Sequence, residues 1–426
     1  ALLDIRAVRG MNDFLPEEAV LWRFVEEEAR RIFALYGFEE LRPPLLERTE
    51  LFLRGIGDET DVVEKQMYTF TDKGGDSVTL RPEATACVLR AVIEHGILNK
   101  DPVAKLYTIG PMFRYERPQK GRFRQFHQIN AERLGEDGPL ADAETLAMAY
   151  DIVRSVLGGE GLVMEVNSLG CKQCRPAFTE ALKAFLAARE DLLCSDCRRR
   201  MVSNPLRVLD CKVPTCKEAV MDAPTLDATL CGGCREHHEC VKEGLDALGV
   251  RYEQNVHLVR GLDYYTRTTF EIVSASLGSN SAVAGGGRYD DLLGLLGGPP
   301  VGGIGFAIGM ERLVMLAPEG LAKKGEGCFV AAQNTHEARL EALRLMMELR
   351  GNGIPADSAL GRSFKAQMRR ADKGGHPVCV IVGEEELRTG TVSLRDMRTG
   401  SQETVPRADL VSRILSVLDK GKGEKA

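Results

Sequence analysis

The 426-residue sequence contains no run of about 18 apolar residues, which excludes a membrane-spanning helix. Its first residues, Ala1-Leu2-Leu3-Asp4-Ile5-Arg6, have neither the basic nor the long apolar region of a secretory signal, so a cytoplasmic location is expected. They also lack an initiator Met, and a missing or processed first residue is expected. The formal net charge of −6 has the wrong sign for a protein that coats nucleic acid unselectively. It leaves room for a structured RNA partner, because charge can be local. The glycine-rich stretch near residue 300 lacks the Gly-x-x-x-x-Gly-Lys-Ser/Thr spacing, which excludes a Walker phosphate loop.

What is present is an ordinary globular composition, 44% hydrophobic and 28% charged, in a chain long enough for two or three domains. Leu15-Pro16-Glu17-Glu18 opens a helix that Gly37 closes, with Leu21, Phe24, Val25, Ile32 and Leu35 near one face. Phe38–Leu41 reads as a strand stopped by Pro43-Pro44. Strands are expected at 77–80, 106–114, 124–133 and 162–166, and helices after Thr85 and over 142–157. Residues 171–250 hold nine of the twelve cysteines among charged helical stretches and read as an inserted module. Pro318-Glu319-Gly320 and Lys323-Lys324-Gly325 mark a linker. Beyond it, strands at 328–332, 378–382 and 391–395 alternate with helices near 336–350, 363–371 and 408–418, a small α/β domain. The tail 420–426 is expected to be disordered.

The densest chemistry lies at 110–132. Arg114, Arg117, Lys120, Arg122 and Arg124 fall within eleven residues, with Pro118 and Gly121 at the turn of a hairpin. On the second arm, alternation sends Phe126, Gln128, Asn130 and Glu132 to one face and Gln125, His127 and Ile129 to the other. An aromatic plate, amides and a carboxylate beside permanent cations suit a polyphosphate, a purine and a polar small molecule. A solvated basic hairpin is the plain alternative. The stretch 260–271, which opens Arg260-Gly261-Leu262-Asp263-Tyr264-Tyr265 and ends on Glu271, can clamp a carboxylate with Arg260 and shape a polar pocket with two phenols, or it is a tyrosine-rich edge strand with an arginine at its end. Arg81-Pro82-Glu83-Ala84-Thr85 offers a carboxylate and a hydroxyl for an ammonium group, or only helix-start residues. In 284–290 and 302–313 the glycines allow close backbone approach, and a helix starting near Gly309 would aim Arg312 back at the sheet.

Taken in order, these segments resemble a class II aminoacyl-tRNA synthetase, with residues 17–43, 110–132 and 302–313 similar to its motifs 1, 2 and 3. The Arg-Gly-Leu-Asp-Tyr-Tyr and Arg-Pro-Glu-x-Thr segments resemble the histidyl-tRNA synthetases specifically. Arg9–Asp13 and Asn204-Pro205-Leu206-Arg207-Val208-Leu209-Asp210 extend the likeness over essentially the whole chain. The resemblance implies an α+β fold: an antiparallel catalytic sheet with flanking helices over 1–170 and 251–320, the inserted Cys-rich module over 171–250, and an α/β anticodon-binding domain over 326–420. It implies ligation of histidine to tRNA(His) by way of histidyl-adenylate, with ATP and Mg²⁺, in a homodimer. Arg114 and Arg260 are then the catalytic residues. Glu83, Ala84, Thr85, Gln128, Glu132, Tyr264 and Tyr265 join them around histidine, while Arg122, Phe126 and Arg312 join Arg114 around ATP. Ala84 and Asn130 stand where the pattern commonly has glycine. The rival reading is a synthetase-like regulatory subunit that binds histidine as a sensor and lacks the anticodon domain.

Four close cysteine pairs, 171/174, 194/197, 211/216 and 231/234, favour zinc over disulfides in a chain of this kind, with buried reduced thiols as the alternative. Cys194, Cys197, Cys231 and Cys234 are the first candidate ligands of a structural zinc, which the family does not require.

Overall fold

The structure, a computed structural model, describes residues 5–423 except 58, 59, 61, 263, 275–281 and 323–326. Asp263, the linker residues Lys323-Lys324-Gly325 and the last three tail residues therefore lie outside it. The chain forms two compact units, Ala1–Ala322 and Lys323–Ala426.

The first unit is built on strands β1 (Glu39–Glu40), β2 (Leu46–Arg48), β3 (Tyr68–Thr71), β4 (Ser77–Leu80), β5 (Ala104–Phe113), β6 (Gln125–Leu134), β7 (Leu162–Ser168), β8 (Tyr252–Gln254), β9 (Thr266–Ser274), β10 (Ala282–Tyr289) and β11 (Gly303–Gly309). Eight of them make one sheet in the order β1-β5-β6-β11-β10-β9-β7-β8, antiparallel through its six central strands and parallel only at each edge. The remaining three form a small antiparallel sheet, β2-β4-β3.

The hairpin β5–β6 pairs from Ala104↔Leu134 to Phe113↔Gln125, as the alternation of β6 predicts. Its two faces have different fates. Ile129 and Ala131 enter the core formed with the helices Pro16–Leu35, Pro139–Leu157 and Met310–Leu316. Leu134 packs on the opposite side, with the helix Thr85–Glu94 and residues of the Cys-rich segment. His127 lies edge-on to Trp22 of the first helix at 5.1 Å, and Glu311 accepts from its backbone amide at 2.8 Å. Within the first helix, Trp22, Val25, Ala29, Ile32 and Phe33 are buried, whereas Leu35, at its last turn, is 72% exposed.

The segment expected to be an inserted module is tied to the sheet's core through its last helix. Its last helix, Gly232–Ala247, packs Gly244 against Ala143 so closely that an added Cβ would lie 2.6 Å from the alanine's. Val241 and Leu245 share the catalytic core with Val25 and Ile152. The tie is polar as well. Asp142, fully buried in the first turn of Pro139–Leu157, accepts from Arg288 Nε at 3.0 Å, Arg288 Nη2 at 2.5 Å and Thr268 at 2.6 Å, and lies 2.8 Å from His237 Nε2.

The second unit adds β12 (Cys328–Ala332), β13 (Ala356–Ser358), β14 (Val378–Val382), β15 (Thr391–Asp396) and β16 (Gln402–Pro406) in the order β13-β12-β14-β15-β16. Helices His336–Gly351, Phe364–Lys373 and Leu410–Gly423 accompany the sheet. The last helix continues past 418 into the segment expected to be disordered. No helix among the described residues is long and apolar enough to cross a membrane.

Burial alone would raise the Asp142 pKa, but the His237 hydrogen bond and the Arg288 charge outweigh it and hold the value below its usual range. A carboxylate depressed in the folded state adds stability that is fully present above its unfolded pKa, about 3.9, and lost as pH falls through the folded value. Asp142→Ala strands the buried Arg288 charge, and urea unfolding at pH 7 should show a loss of about 3–5 kcal/mol. The difference from the parent should shrink as the pH is taken below about 4. A loss under about 1 kcal/mol would mean that Arg288 finds other partners.

Candidate active site

On the face of the large sheet away from Pro16–Leu35 opens a cavity of about 530 Å³. Its floor comes from β6, β10 and β11, and its walls from the start of Thr85–Glu94, the hairpin tip, residues 260–262 with Tyr264 and Tyr265, and part of the Cys-rich segment. The floor is low because it is glycine. A Cβ on Gly305 would lie 1.9 Å from Glu132 Oε2. One on Gly285 would lie 2.5 Å from Arg260 Nη1, so the bare strand is what lets that guanidinium lie over β10.

One part of the wall is acidic and phenolic. Glu83 accepts from the backbone amides of Thr85 at 2.7 Å and Ala86 at 2.8 Å, capping the helix while lining the cavity. Its burial raises the pKa against the opposing pull of those donors and of Arg114. Ala84 is fully buried at the same turn. Thr85 donates to Glu132 Oε1 at 2.6 Å, and Tyr289 donates to the other oxygen. Burial pushes the Glu132 carboxyl up to about 8, against both donors. Tyr264 and Tyr265 lie with ring centroids 4.6 Å apart, and burial raises both phenol pKa values. Gln128 Oε1 and Asn130 Nδ2 are buried in the same region without a hydrogen-bond partner, an acceptor and a donor facing a polar ligand site.

The other part is cationic. Arg114 donates to the Pro82 carbonyl at 2.8 Å and lies 5.2 Å from the Phe126 ring centroid. Burial lowers its pKa, yet a guanidinium stays charged near neutrality. Arg312 donates to the Ala282 carbonyl at 2.5 Å, and its pKa is lowered by burial and by Arg122. Gly121, at φ +73°, sets the hairpin tip within contact distance of the Arg312 side chain. Arg122 is half-exposed, 3.5 Å from Glu116. Arg260 pairs with Glu271; burial works against its charge, but Glu271 and the two phenols raise its pKa overall.

The structure brings Glu83, Thr85, Arg114, Arg122, Phe126, Gln128, Arg260, Tyr264, Tyr265 and Arg312 around one cavity, with Asn130 among them. Glu132 sits one layer below, 1% exposed, reached through Thr85 and Tyr289. Sequence reasoning gave no role to Glu116, Glu271, Tyr289, Arg207 or Asp210, which also belong here. Glu116 and Glu271 lie inside segments singled out for their arginines, and Arg207 and Asp210 inside the Asn204–Asp210 motif. The four cysteines named as one zinc set do not meet. Cys194 and Cys197 converge with Cys211 and Cys216, whereas Cys231 and Cys234 converge with Cys171 and Cys174.

Gly305→Ala should cost about 1–3 kcal/mol in urea unfolding, since its methyl meets both Glu132 and the Ala131 carbonyl. Gly294→Ala, with nothing within 4 Å of its added carbon, should change stability by less than about 1 kcal/mol. Equal effects would show that the glycine floor is not closely packed.

The sequence matches the profile of the family described as Histidyl-tRNA synthetase over residues 10–193 and 212–313, and that of an Anticodon binding domain over 327–416. It is 52% identical over 404 residues to a histidine–tRNA ligase of Syntrophotalea carbinolica, covering 95% of this chain and 96% of that one. A histidine–tRNA ligase of Solidesulfovibrio magneticus is 50% identical over 420 residues, covering 98% and 99%. Among solved structures, apo histidyl-tRNA synthetase of S. aureus superposes with a TM-score of 0.79 at 36% identity, covering 96% of this chain and 99% of that one. A Bacillus halodurans protein described as an ATP phosphoribosyltransferase regulatory subunit/histidyl-tRNA synthetase is 22% identical with a TM-score of 0.61, a likeness of fold alone. Matched by the family profile over most of its length and by these relatives along nearly all of it, the chain belongs to the histidyl-tRNA synthetase family.

Proposed function

We propose that the chain is a histidine–tRNA ligase that activates L-histidine with ATP and passes the histidyl group to tRNA(His). The observation that carries this reading is the division of one cavity. Carboxylates, phenols and amides suited to a small zwitterion share it with arginines and an aromatic ring suited to a nucleotide. In the first step a histidine carboxylate oxygen attacks the α-phosphorus of ATP; the bond to the β-phosphate oxygen breaks and pyrophosphate leaves. Two anions must meet, so fixed cations lower the barrier most. Arg114 takes the α-phosphate together with the carboxylate, and Arg260 neutralises the charge that gathers on the pair. Arg122 and Arg312 hold phosphate, while Phe126 and Arg312 enclose the adenine. Mg²⁺ bound with ATP would supply further charge neutralisation, and Glu116 and Glu271 in the cavity wall are the carboxylates that would hold it.

Glu83, Thr85 and Gln128 receive the ammonium group; Tyr264, Tyr265 and Glu132 read the imidazole, with Ala84 leaving room and Asn130 adding an amide donor. A carboxyl whose pKa burial has raised can take up or give a proton toward a ring carrying both kinds of nitrogen. Discrimination then comes from polar groups that a wrong amino acid would leave unpaired. In the second step a 3′-terminal ribose hydroxyl attacks the adenylate carbonyl, loses its proton, and AMP departs. The C-terminal unit reads the anticodon. A homodimer follows from the motif 1 likeness, and a cytoplasmic site of action from the tRNA substrate.

Histidine-dependent exchange of pyrophosphate into ATP tests this reading. Exchange should occur with histidine and with no other amino acid; tight histidine binding without exchange would indicate a sensor instead. Arg260→Ala should cut exchange by about 10²–10³-fold while calorimetry shows histidine binding retained. Near-normal exchange would remove the role given to Arg260.

A further inference from the structure

We propose that the Cys-rich segment holds two separate structural zinc ions, each bound by four thiolates. Cys171, Cys174, Cys231 and Cys234 make the first site, and Cys194, Cys197, Cys211 and Cys216 the second. Within each group all four sulfurs lie within 4.8 Å of one another. The contacts Cys171–Cys174 at 3.7 Å, Cys171–Cys231 at 3.9 Å and Cys194–Cys211 at 4.0 Å are far from a disulfide bond of about 2.05 Å. They match the edge of about 3.8 Å that a tetrahedron of Zn–S bonds near 2.3 Å requires.

A second line of observation is independent of spacing. In both groups backbone amides already donate to sulfur: Gln173 to Cys171 at 3.4 Å, Cys231 to Cys174 at 3.2 Å, and Cys194 to Cys216 at 3.1 Å. Such donors stabilise thiolates and orient them toward a metal. Cys194 and Cys231 each cap the helix that carries the next cysteine, with the same backbone angles, φ −68° and ψ 163°. Gly170 makes room for the first group, because a Cβ there would stand 2.8 Å from that of Cys174. Two unrelated stretches of chain thus build one geometry twice.

Each zinc replaces four thiol protons and leaves a centre of charge −2 that needs no open position for chemistry. The first site fastens the exit of β7 to the helix Gly232–Ala247. The second closes the loop carrying Arg207 and Asp210, which line the cavity. The inference does not depend on the amino acid specificity, because metal content and pyrophosphate exchange are separate readings.

The full chain, purified without added metal or chelator, should contain about two zinc ions by elemental analysis, one for every four ligands. A mercurial thiol reagent in native buffer should release both. Cys171→Ser/Cys174→Ser and Cys194→Ser/Cys197→Ser should each retain about one, while Cys240→Ser, outside both groups, should retain two. If a double variant does not fold, the parent measurement decides alone. Zinc below about one-fifth of an equivalent in folded protein with eight titratable thiols from these positions overturns the proposal, as does disulfide-linked protein lacking metal. About one equivalent, lost entirely in a single double variant, would overturn one of the two sites.

Discussion

The buried pair of Asp142 and Arg288 is the contact on which the rest of the catalytic unit depends. Taking both charges out of water is costly, and it is offset only because neither is left with an unmet group. Arg288 also donates to the Glu136 carbonyl and to Asp290, and Asp142 also receives Thr268 and meets His237. Through this one knot the helix Pro139–Leu157, the strands β9 and β10 and the helix Gly232–Ala247 are fixed together. The register of β10 is set as a result. Alternation then sends the next residue, Tyr289, to the other face of the sheet, where its hydroxyl meets Glu132.

The cavity is made as much by missing side chains as by those present. Gly285 and Gly305 leave beneath it the space that Arg260 and Glu132 occupy. That packing also explains why the reactive groups hold still. Glu83 is held by two amides, Glu132 by Thr85 and Tyr289, and Arg114 by the Pro82 carbonyl. These three groups are each oriented by a backbone or buried partner, so little ordering of them remains to be done when a ligand arrives.

Much of this was legible in the chain. Alternation placed Phe126, Gln128, Asn130 and Glu132 on one face because a strand has a strict period of two. Gly309 announced the turn into Met310–Leu316 and hence the place of Arg312. What escaped depends on contacts distant in sequence. Asp142 reads as an ordinary acid in a helix's first turn, and nothing local reveals a partner 146 residues away. Cysteine pairs show that ligands cluster but not which pair meets which, so 194/197 and 231/234 were joined wrongly. The strands β13 and β16 are short edges, with little apolar alternation to announce them. Leu35 continues the apolar period of its helix but comes at the last turn, past the end of the packed face.

The four cavity arginines are of two kinds. Arg114 and Arg312 bond to neutral backbone carbonyls and keep their full charge directed at a ligand. Arg122 and Arg260 face the carboxylates of Glu116 and Glu271. An arriving phosphate therefore meets two unmet cations and two that must loosen an existing pairing to receive it. As the anion leaves, those two carboxylates take the cations back. On the proposed reading the cavity is an ion exchanger, built to grip a polyanion through a reaction and still let its fragments go.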